Sequence, residues 1–212
     1  MLEKFIFWYN HGFNPKIIYD IGANHGDWTR EMKKLYSESS YHLFEAFEEN
    51  NKYNTEASYH NVLLSKEDNK IVDFHCIKEG FNTGNSMYLE LSGAFNPNNY
   101  YTIQKKTRTL DSYIEENNIP LPDFIKIDVQ GAELDVLDGG KNCLENSTMV
   151  LLEVSIHQYN KDSPLFADVI HYMNKHNFVV IDMIENHIIN GYLAQVDLLF
   201  AKKDSNYLCK YF

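Results

Sequence analysis

The chain has few of the residues that mark disulfide-rich or nucleic-acid-binding proteins. Its three cysteines, Cys76, Cys143 and Cys209, are widely spaced and odd in number. This pattern suits neither a disulfide framework nor a zinc knuckle, so we expect reduced thiols. Only 19 basic residues stand against 30 acidic ones, giving a formal net charge of −11. Because no basic cluster offsets that charge, no nucleic-acid partner is expected.

Long apolar runs and proline-rich linkers are also missing. No run approaches the roughly 20 apolar residues of a membrane helix, and the first ten residues lack the cationic start of a signal peptide. The chain has five prolines and no visible repeat. We therefore expect a cytoplasmic protein with no membrane span, folded as a single domain over residues 1–212. The sequence does not indicate an oligomeric state.

The chain does contain short apolar runs that alternate with helix-length segments. This alternation predicts an α/β fold in which parallel strands are joined by crossover helices. The predicted strands are residues 16–20, 41–45, 62–64, 124–128, 149–154, 179–183 and 196–200, and the predicted helices are 27–36, 48–57, 110–117, 133–143 and 164–175. Residues 69–109 fit the alternation less well. We interpret them as an insertion or lid with an extra strand at 71–77.

The most informative segment is the strand and turn over residues 17–26, which ends its strand at Asp20 and has glycines at 22 and 26. Gly22 allows a ligand to approach the backbone, and Gly26 permits a positive φ where a helix begins. The helix N-terminus then offers free N–H groups to an anion. The spacing differs from the G-x-G-x-x-G dinucleotide fingerprint. Alternatively, the segment is a tight turn without a ligand.

Acidic residues recur where predicted strands end, at Asp20, Glu45, Asp128 and Glu153. Open α/β sheets bind ligands at this edge, and an acidic rim suits a cationic sulfonium cofactor. Lys126 lies two residues before Asp128, so both side chains share one face of their strand. Alternatively, Glu45 caps a helix, and Asp128 and Glu153 cap loops or pair with Lys126.

These segments together resemble the FkbM family of S-adenosylmethionine-dependent methyltransferases. The resemblance rests on Asp20-Ile-Gly-Ala-Asn-His-Gly26, Phe44-Glu45, Thr109-Leu-Asp111, Lys126-Ile-Asp-Val-Gln-Gly-Ala-Glu133 and Leu152-Glu153. It runs in order from about residue 16 to 202, and its most specific part is the segment from Lys126 to Glu133. The chain departs from the family at Gln130, where Glu is usual, and at Ala46, where Pro is usual.

The resemblance implies a doubly wound, mostly parallel, seven-stranded Rossmann-like sheet with helices on both faces. It also implies O-methylation of a hydroxyl on a sugar, glycan, glycolipid or natural product, with S-adenosylmethionine as cofactor. It implies cofactor contacts from residues spread over five segments: Asp20, Gly22, Ala23, Asn24, Gly26, Thr29, Glu45, Ala46, Leu64, Ser65, Ser86 and Asp128. Asp20 would accept from the methionyl ammonium group, Glu45 would bind the ribose, and Leu64 and Ser65 would border the adenine. Asn85 and Ser86 would close the pocket.

A base within reach of the acceptor hydroxyl would help its proton to leave. The candidates are Asp128, which we prefer for its position, His157, and Lys126 if its pKa is depressed; Glu153 completes the catalytic set. The sequence offers no octahedral ligand set, so no metal is predicted. The alternative is a non-catalytic Rossmann-like module that binds S-adenosylmethionine or a nucleoside, and Gln130 favours it. A short-chain dehydrogenase is disfavoured because the phosphate-binding fingerprint is missing and no Tyr-x-x-x-Lys pair follows the fourth predicted strand.

Overall fold

The computed structural model describes residues 1–48, 57–78, 84–91 and 97–208, and within them ten strands form two sheets. In chain order the strands are β1 (Ile17–Ile21), β2 (Ser40–Glu45), β3 (Ser58–Asn61), β4 (Leu63–Leu64), β5 (Ile71–Ile77), β6 (Tyr100–Arg108), β7 (Phe124–Ile127), β8 (Met149–Ser155), β9 (Phe178–Ile189) and β10 (Tyr192–Lys202). The α-helices are α1 (Leu2–Asn10), α2 (Asp27–Lys33), α3 (Leu110–Glu116), α4 (Glu133–Asp138), α5 (Lys141–Asn146) and α6 (Phe166–Lys175).

The larger sheet has seven strands in the order β3-β2-β1-β7-β8-β10-β9. The five strands from β3 to β8 are parallel to their neighbours, and β10 runs antiparallel to both β8 and β9. The strand order reverses beside β1, because β2 and β7 flank it on opposite sides. In such a sheet the ligand crevice opens at this reversal, above the carboxyl ends of β1 and β7. The predicted mostly parallel seven-stranded sheet is confirmed.

Helices cover both faces of this sheet, as predicted. On one face α1 and α2 bury Phe5, Trp8, Trp28 and Met32 against the sheet. On the other face α3, α4, α5 and α6 bury a second apolar cluster, which includes the fully buried Ile125 and Ile127. The side chains of a strand alternate between the two faces of the sheet. Ile125 and Ile127 of β7 therefore lie in the second cluster, and Lys126 lies on the face that α1 and α2 cover.

The smaller sheet has the order β4-β6-β5 and confirms the predicted β-containing insertion. β5 coincides with the predicted extra strand at 71–77, and β6, which was not predicted, pairs with it in antiparallel fashion. Leu63, Phe74 and Cys76 form the buried centre of this unit. β4 places Leu63 and Leu64 beside the end of β2, so the insertion packs against the crevice of the large sheet.

The prediction for the third strand was wrong. Residues 62–64 were expected in the large sheet, but the strand that pairs with β2 is the more polar β3, which precedes them. β3 lies at the sheet edge and buries little, so it lacks the apolar run that marks an interior strand. The apolar Leu63 and Leu64 instead turn inward and pair with β6.

The predicted helix at 133–143 is two helices, α4 and α5, separated by Gly139 and Gly140. A Cβ atom at Gly139 would lie 2.2 Å from the carbonyl oxygen of Ser65, so the chain approaches its neighbour there as only glycine can. The predicted helix at 48–57 falls almost wholly outside the described residues. α1 was not predicted, although it buries Phe5 and Trp8.

The last two strands form a long hairpin. Predicted at 179–183 and 196–200, they extend over β9 and β10 and are joined by Asn190 and Gly191, which have φ values of 51° and 82°. An Asn-Gly pair with two positive φ angles is the turn that favours a two-residue hairpin. The hairpin brings the polar side chains of His187, Gln195 and Asp197 towards the end of β8.

Candidate active site

The turn after β1 brings three strand ends together. The backbone N–H groups of Gly22 and Ala23 donate to the carbonyl oxygen of Phe44, at 2.9 and 3.2 Å. Gly22 has a φ of +74°, and a Cβ atom there would lie 1.8 Å from the carbonyl oxygen of Asp128. Glycine is therefore required by both conformation and space. Gly26, with a φ of 75°, then caps the start of α2.

Glu45, at the end of β2, faces the crevice from the opposite side. Its Oε2 accepts from the backbone N–H of Asn24 at 2.8 Å, and its Oε1 accepts from that of Phe47 at 2.7 Å. Burial raises the pKa of Glu45, an effect that these two hydrogen bonds only partly offset. Each carboxylate oxygen has a further lone pair, so the side chain can also accept from two hydroxyl groups of a ligand.

A buried row of charges underlies the turn. Lys126 Nζ lies 3.2 Å from Asp20 Oδ1 and 3.4 Å from Asp128 Oδ2, and Thr29 Oγ1 donates to Asp20 Oδ2 at 2.8 Å. Asp20 has no exposed surface, whereas the side chain of Asp128 is 36% exposed. Asp20 thus faces the protein interior and Asp128 faces the crevice.

The expectation of a depressed pKa at Lys126 was wrong. Burial alone would lower the pKa of this amine, but the charges of Asp20 and Asp128 outweigh it and raise the pKa above its ordinary value. Lys126 therefore remains a cation and is not a proton acceptor at neutral pH. Its position between two carboxylates lets it compensate their charge and hold both in place.

The loop after β7 is fixed by its own side chains. Gln130, in a left-handed conformation with a φ of 55°, donates through Nε2 to Asp128 Oδ1 at 3.0 Å and to Glu153 Oε2 at 2.7 Å. Glu133 Oε1 accepts from the backbone N–H groups of Val129 and Gly131, both at 3.1 Å. The segment from Lys126 to Glu133 therefore positions Asp128 from several sides.

A first cavity of about 660 Å³, part of it open to solvent, lies between the glycine turn and the small sheet. Its walls are mostly apolar, with carboxylates at two points, and the lining residues are Ile21, Gly22, Asn24, Phe44, Glu45, Ala46, Val62, Leu63, Leu64, Phe74, Asn85, Ser86, Met87, Asp128, Val129 and Ala132. Ser86 Oγ donates to the carbonyl oxygens of Val129 and Gln130, at 3.1 and 2.9 Å. These bonds join the insertion to the loop after β7.

A second cavity of about 520 Å³, part of it open to solvent, lies between α2 and the last strands of the large sheet. It is lined by Met1, Trp28, Lys126, Ile127, Asp128, Leu151, Glu153, Glu185, His187 and Asp197. Asp128 lines both cavities and, among the residues that the structure describes, is the one that they share. A group bound in either cavity can therefore contact the same carboxylate.

Glu153 lines the second cavity and accepts two hydrogen bonds from amide side chains. Its Oε2 accepts from Gln130 and also from Gln195 Nε2, the latter at 2.8 Å. Burial, followed by the nearby Asp128 carboxylate, raises the pKa of Glu153 well above its ordinary value. Next to it, His187 Nε2 lies 3.1 Å from Asp197 Oδ1.

The titration of this last pair follows from its hydrogen bond and its burial. The bond to Asp197 raises the pKa of His187, while burial raises that of Asp197.

The structure brings most of the sequence-predicted residues to these cavities. Seven predicted cofactor contacts line the first cavity: Gly22, Asn24, Glu45, Ala46, Leu64, Ser86 and Asp128. The other five predicted contacts do not line this cavity, so their contact with a cofactor stays a prediction: Asp20, Ala23, Gly26, Thr29 and Ser65. Lys126 and Glu153 line the second cavity, as does Asp128. His157 is exposed and lines neither cavity.

Several residues of the site were missed from the sequence. Phe74 and Met87 reach the first cavity from the insertion, and His187 and Asp197 reach the second from the hairpin. The Asn190-Gly191 turn could have revealed the hairpin and hence that β9 and β10 pair with each other. No local signal marks Phe74 or Met87, since their place depends on how the insertion folds back on the large sheet.

Solved structures define the class of the fold. The magnesium protoporphyrin IX methyltransferase ChlM from Synechocystis PCC 6803 superposes with a TM-score of 0.53 at 8% identity, covering 95% of this chain and 77% of that chain. The methyltransferase FkbM from Methylobacillus flagellatus KT superposes with a TM-score of 0.52 at 14% identity, covering 87% of this chain and 43% of that chain. The fold is that of a class I S-adenosylmethionine-dependent methyltransferase.

The particular family follows from the sequence match. The model of the methyltransferase FkbM domain matches residues 20–180, so the chain belongs to the FkbM methyltransferase family and S-adenosylmethionine is its cofactor. The 2-O-methyltransferase NoeI of Sinorhizobium fredii is 29% identical over 170 residues, covering 71% of this chain and 68% of that protein. The hexuronic acid methyltransferase AglP of Haloferax volcanii is 39% identical over 49 residues, covering 23% of this chain and 20% of that protein.

The chain thus spans a fifth of AglP and less than half of the Methylobacillus protein. Within the described residues, no helix is both long and apolar enough to cross a membrane.

Proposed function

We propose that this chain, acting as a single FkbM-type domain, methylates a hydroxyl group of a sugar-containing acceptor. The observation that carries the proposal is that Asp128 lines both cavities, so it can face a cofactor on one side and an acceptor on the other. The name of one relative, a 2-O-methyltransferase, supports transfer to oxygen, and the name of the other, a hexuronic acid methyltransferase, supports a sugar-derived acceptor.

The first cavity fits S-adenosylmethionine. Gly22 lets the turn after β1 pack against the backbone of Asp128, where any larger residue would collide, and both residues line this cavity. Glu45 has lone pairs for the ribose hydroxyls, and Phe44, Leu64 and Phe74 give an apolar lining suited to the adenine. Asp20 is buried and paired with Lys126, so its contact with the methionyl ammonium group stays a prediction.

Bound cofactor supplies a methyl group activated on a sulfonium, so the chain itself must orient the acceptor and remove its proton. Asp128 would accept that proton from the hydroxyl, which makes the oxygen a better nucleophile. Lys126 and Gln130 would act as positioning residues, because each contacts one oxygen of the Asp128 carboxylate.

Glu153 is the second candidate for the base. Its raised pKa makes it the stronger proton acceptor once ionised, and it lines the second cavity. Both amide donors bind Oε2, which leaves Oε1 for a ligand. His157 remains a sequence-based candidate that no contact supports.

Gln130 no longer favours a non-catalytic module. Its Nε2 donates to both Asp128 and Glu153, so the two carboxylates lie within hydrogen-bond distance of the same nitrogen atom. A glutamine at this position is therefore compatible with an ordered catalytic carboxylate.

The test combines cofactor binding with methyl transfer. Titration with S-adenosylhomocysteine should give micromolar affinity for the wild type and for the control Glu38→Gln. Glu38 is exposed and lies just before β2 begins, at the amino ends of the strands and away from the crevice. Glu45→Ala should weaken binding about tenfold or more, because a buried ribose partner is lost. Absence of binding to folded wild-type protein would refute the proposal.

Methyl transfer to neutral glycosides should then be measured by mass spectrometry. Asp128→Asn should lower turnover by about a hundredfold or more while leaving affinity for S-adenosylhomocysteine within a few fold. Unchanged turnover would exclude Asp128 as the base and direct attention to Glu153.

A further inference from the structure

Three neighbouring strands bring three side chains that can ligate a metal to the second cavity. Glu153 lies on β8, Asp197 lies directly opposite it on β10, and His187 lies on β9, diagonally across from Asp197. All three residues line the cavity, and one ligand atom from each lies within 4.8 Å of the other two. No metal was predicted from the sequence, because only the pairing of the three strands brings these residues together.

The spacing of the ligand atoms suits a single ion. His187 Nε2 lies 3.1 Å from Asp197 Oδ1. Two ligand atoms that are each about 2.1 Å from an ion, at an angle of about 90–110°, lie roughly 3.0 to 3.4 Å apart. An ion can therefore take the place of the hydrogen bond between these two side chains, since a metal binds the neutral imidazole.

Glu153 is held by neighbours that leave one of its oxygens free. Gln130 and Gln195 both donate through Nε2 to Glu153 Oε2, at 2.7 and 2.8 Å. Within the described residues, Oε1 of Glu153 and Oδ2 of Asp197 accept no hydrogen bond, and both oxygens are accessible to solvent. Amide donors behind a carboxylate orient it in the way that outer partners orient a metal ligand.

The cavity provides both an entry path and room for further ligands. It has a volume of about 520 Å³ and is partly open to solvent. Its other cations are paired with other carboxylates, Lys126 with Asp20 and Asp128, and the amino group of Met1 with Glu185. Three protein ligands leave positions on an ion for water or a hydroxyl group, as in open metal sites.

We propose that Glu153, His187 and Asp197 bind one first-row divalent cation, such as Mn²⁺, Co²⁺ or Zn²⁺, in the wall of the second cavity. The imidazole nitrogen favours these ions over Mg²⁺ and Ca²⁺, which prefer oxygen ligands. The site goes beyond methyl transfer, because its ligands are set by the strands whatever the acceptor is.

The test is a binding measurement on the whole chain after removal of metals with a chelator. Calorimetry with Co²⁺ should give about one ion per chain, bound roughly tenfold more tightly than Mg²⁺ or better. In protein labelled at histidine, Zn²⁺ should shift the imidazole NMR signals of His187, which His187→Gln assigns. Absence of stoichiometric Co²⁺ binding to the folded wild type would overturn the proposal.

Variants locate the site. His187→Gln and Asp197→Asn should each weaken Co²⁺ binding about tenfold or more, whereas His171→Gln, at an exposed position of α6, should leave it unchanged. Unchanged binding in both site variants would overturn the proposal. His42 and His60, whose ring nitrogens lie 3.2 Å apart, are another close imidazole pair. Zn²⁺ shifts at that pair and none at His187 would also overturn it.

These measurements involve no methyl transfer. Failure of the proposed function therefore leaves their outcome intact, and failure to bind a metal leaves the proposed methylation standing.

Discussion

Replacing Gln130 with glutamate would test how the two central carboxyl groups are held together. Gln130 Nε2 lies 3.0 Å from Asp128 Oδ1 and 2.7 Å from Glu153 Oε2, so Gln130→Glu would turn two donor contacts into contacts between like charges. At about 3 Å and an effective dielectric constant of about 20, each such pair costs about 5 kcal/mol if both groups are ionised. The cluster must therefore take up a proton or a cation.

We expect the variant to bind a proton with a pKa about two to four units above that of an ordinary carboxyl group. Because the folded state then binds a proton that the unfolded state has released, stability falls as pH rises between the unfolded and the folded pKa values. The thermal midpoint of Gln130→Glu should drop from pH 5 to pH 8 relative to wild type. Magnesium ions at millimolar concentration should recover part of the loss.

The assay is a series of thermal unfolding curves and methyl-transfer rates over this pH range. Gln130→Ala is the matched control, because it removes the same two hydrogen bonds without adding a charge. A pH dependence of Gln130→Glu that matches both wild type and Gln130→Ala would show that the three side chains do not meet as described. The account of Gln130 as a positioning residue would then be abandoned.

Two further predictions concern residues that shape the turn and the loop. Gly22→Ala should abolish binding of S-adenosylhomocysteine or destabilise the fold by several kcal/mol, since its Cβ would lie 1.8 Å from the carbonyl oxygen of Asp128. Calorimetry measures the binding affinity and thermal unfolding measures the stability. Affinity and stability both near those of the wild type would contradict the described turn. Burial raises the pKa of Glu133 to about 7, so its contribution to stability is present below the ordinary glutamate pKa and is lost as pH rises through 7. Glu133→Gln keeps an oxygen for the backbone N–H groups of Val129 and Gly131. It should remove the fall in folding stability with rising pH, which is worth up to about 3 kcal/mol. If the pH profile of unfolding is unchanged in this variant, Glu133 is not the source of the fall.

Part of the lining of the first cavity was predictable from sequence, because strand ends supply it and each strand end has a local signal in the sequence. Glu45 ends β2, Gly22 and Asp128 directly follow β1 and β7, and parallel strands bring their carboxyl ends to one edge. Once the strand pattern is recognised, the residues that follow each strand meet without further information.

Other features depended on contacts that strand and helix patterns do not encode. The break between α4 and α5 follows from the approach of Gly139 to Ser65, which are far apart in the chain. β3 was missed because an edge strand with polar residues has little apolar signal. The sign of the pKa shift at Lys126 depended on Asp20, which only the parallel register of β1 and β7 brings opposite Lys126.

The second cavity illustrates this limit most clearly. Its residues come from α2, β7, β8, β9 and β10, and its charge balance depends on which side chains pair within it. His187 and Asp197 lie close because the turn at Asn190-Gly191 sets the first register of the hairpin and a one-residue shift at Ala194 then puts both side chains on the same face. Acceptor selectivity should therefore change more readily than cofactor binding, since a change in the hairpin alters the second cavity and leaves the glycine turn intact.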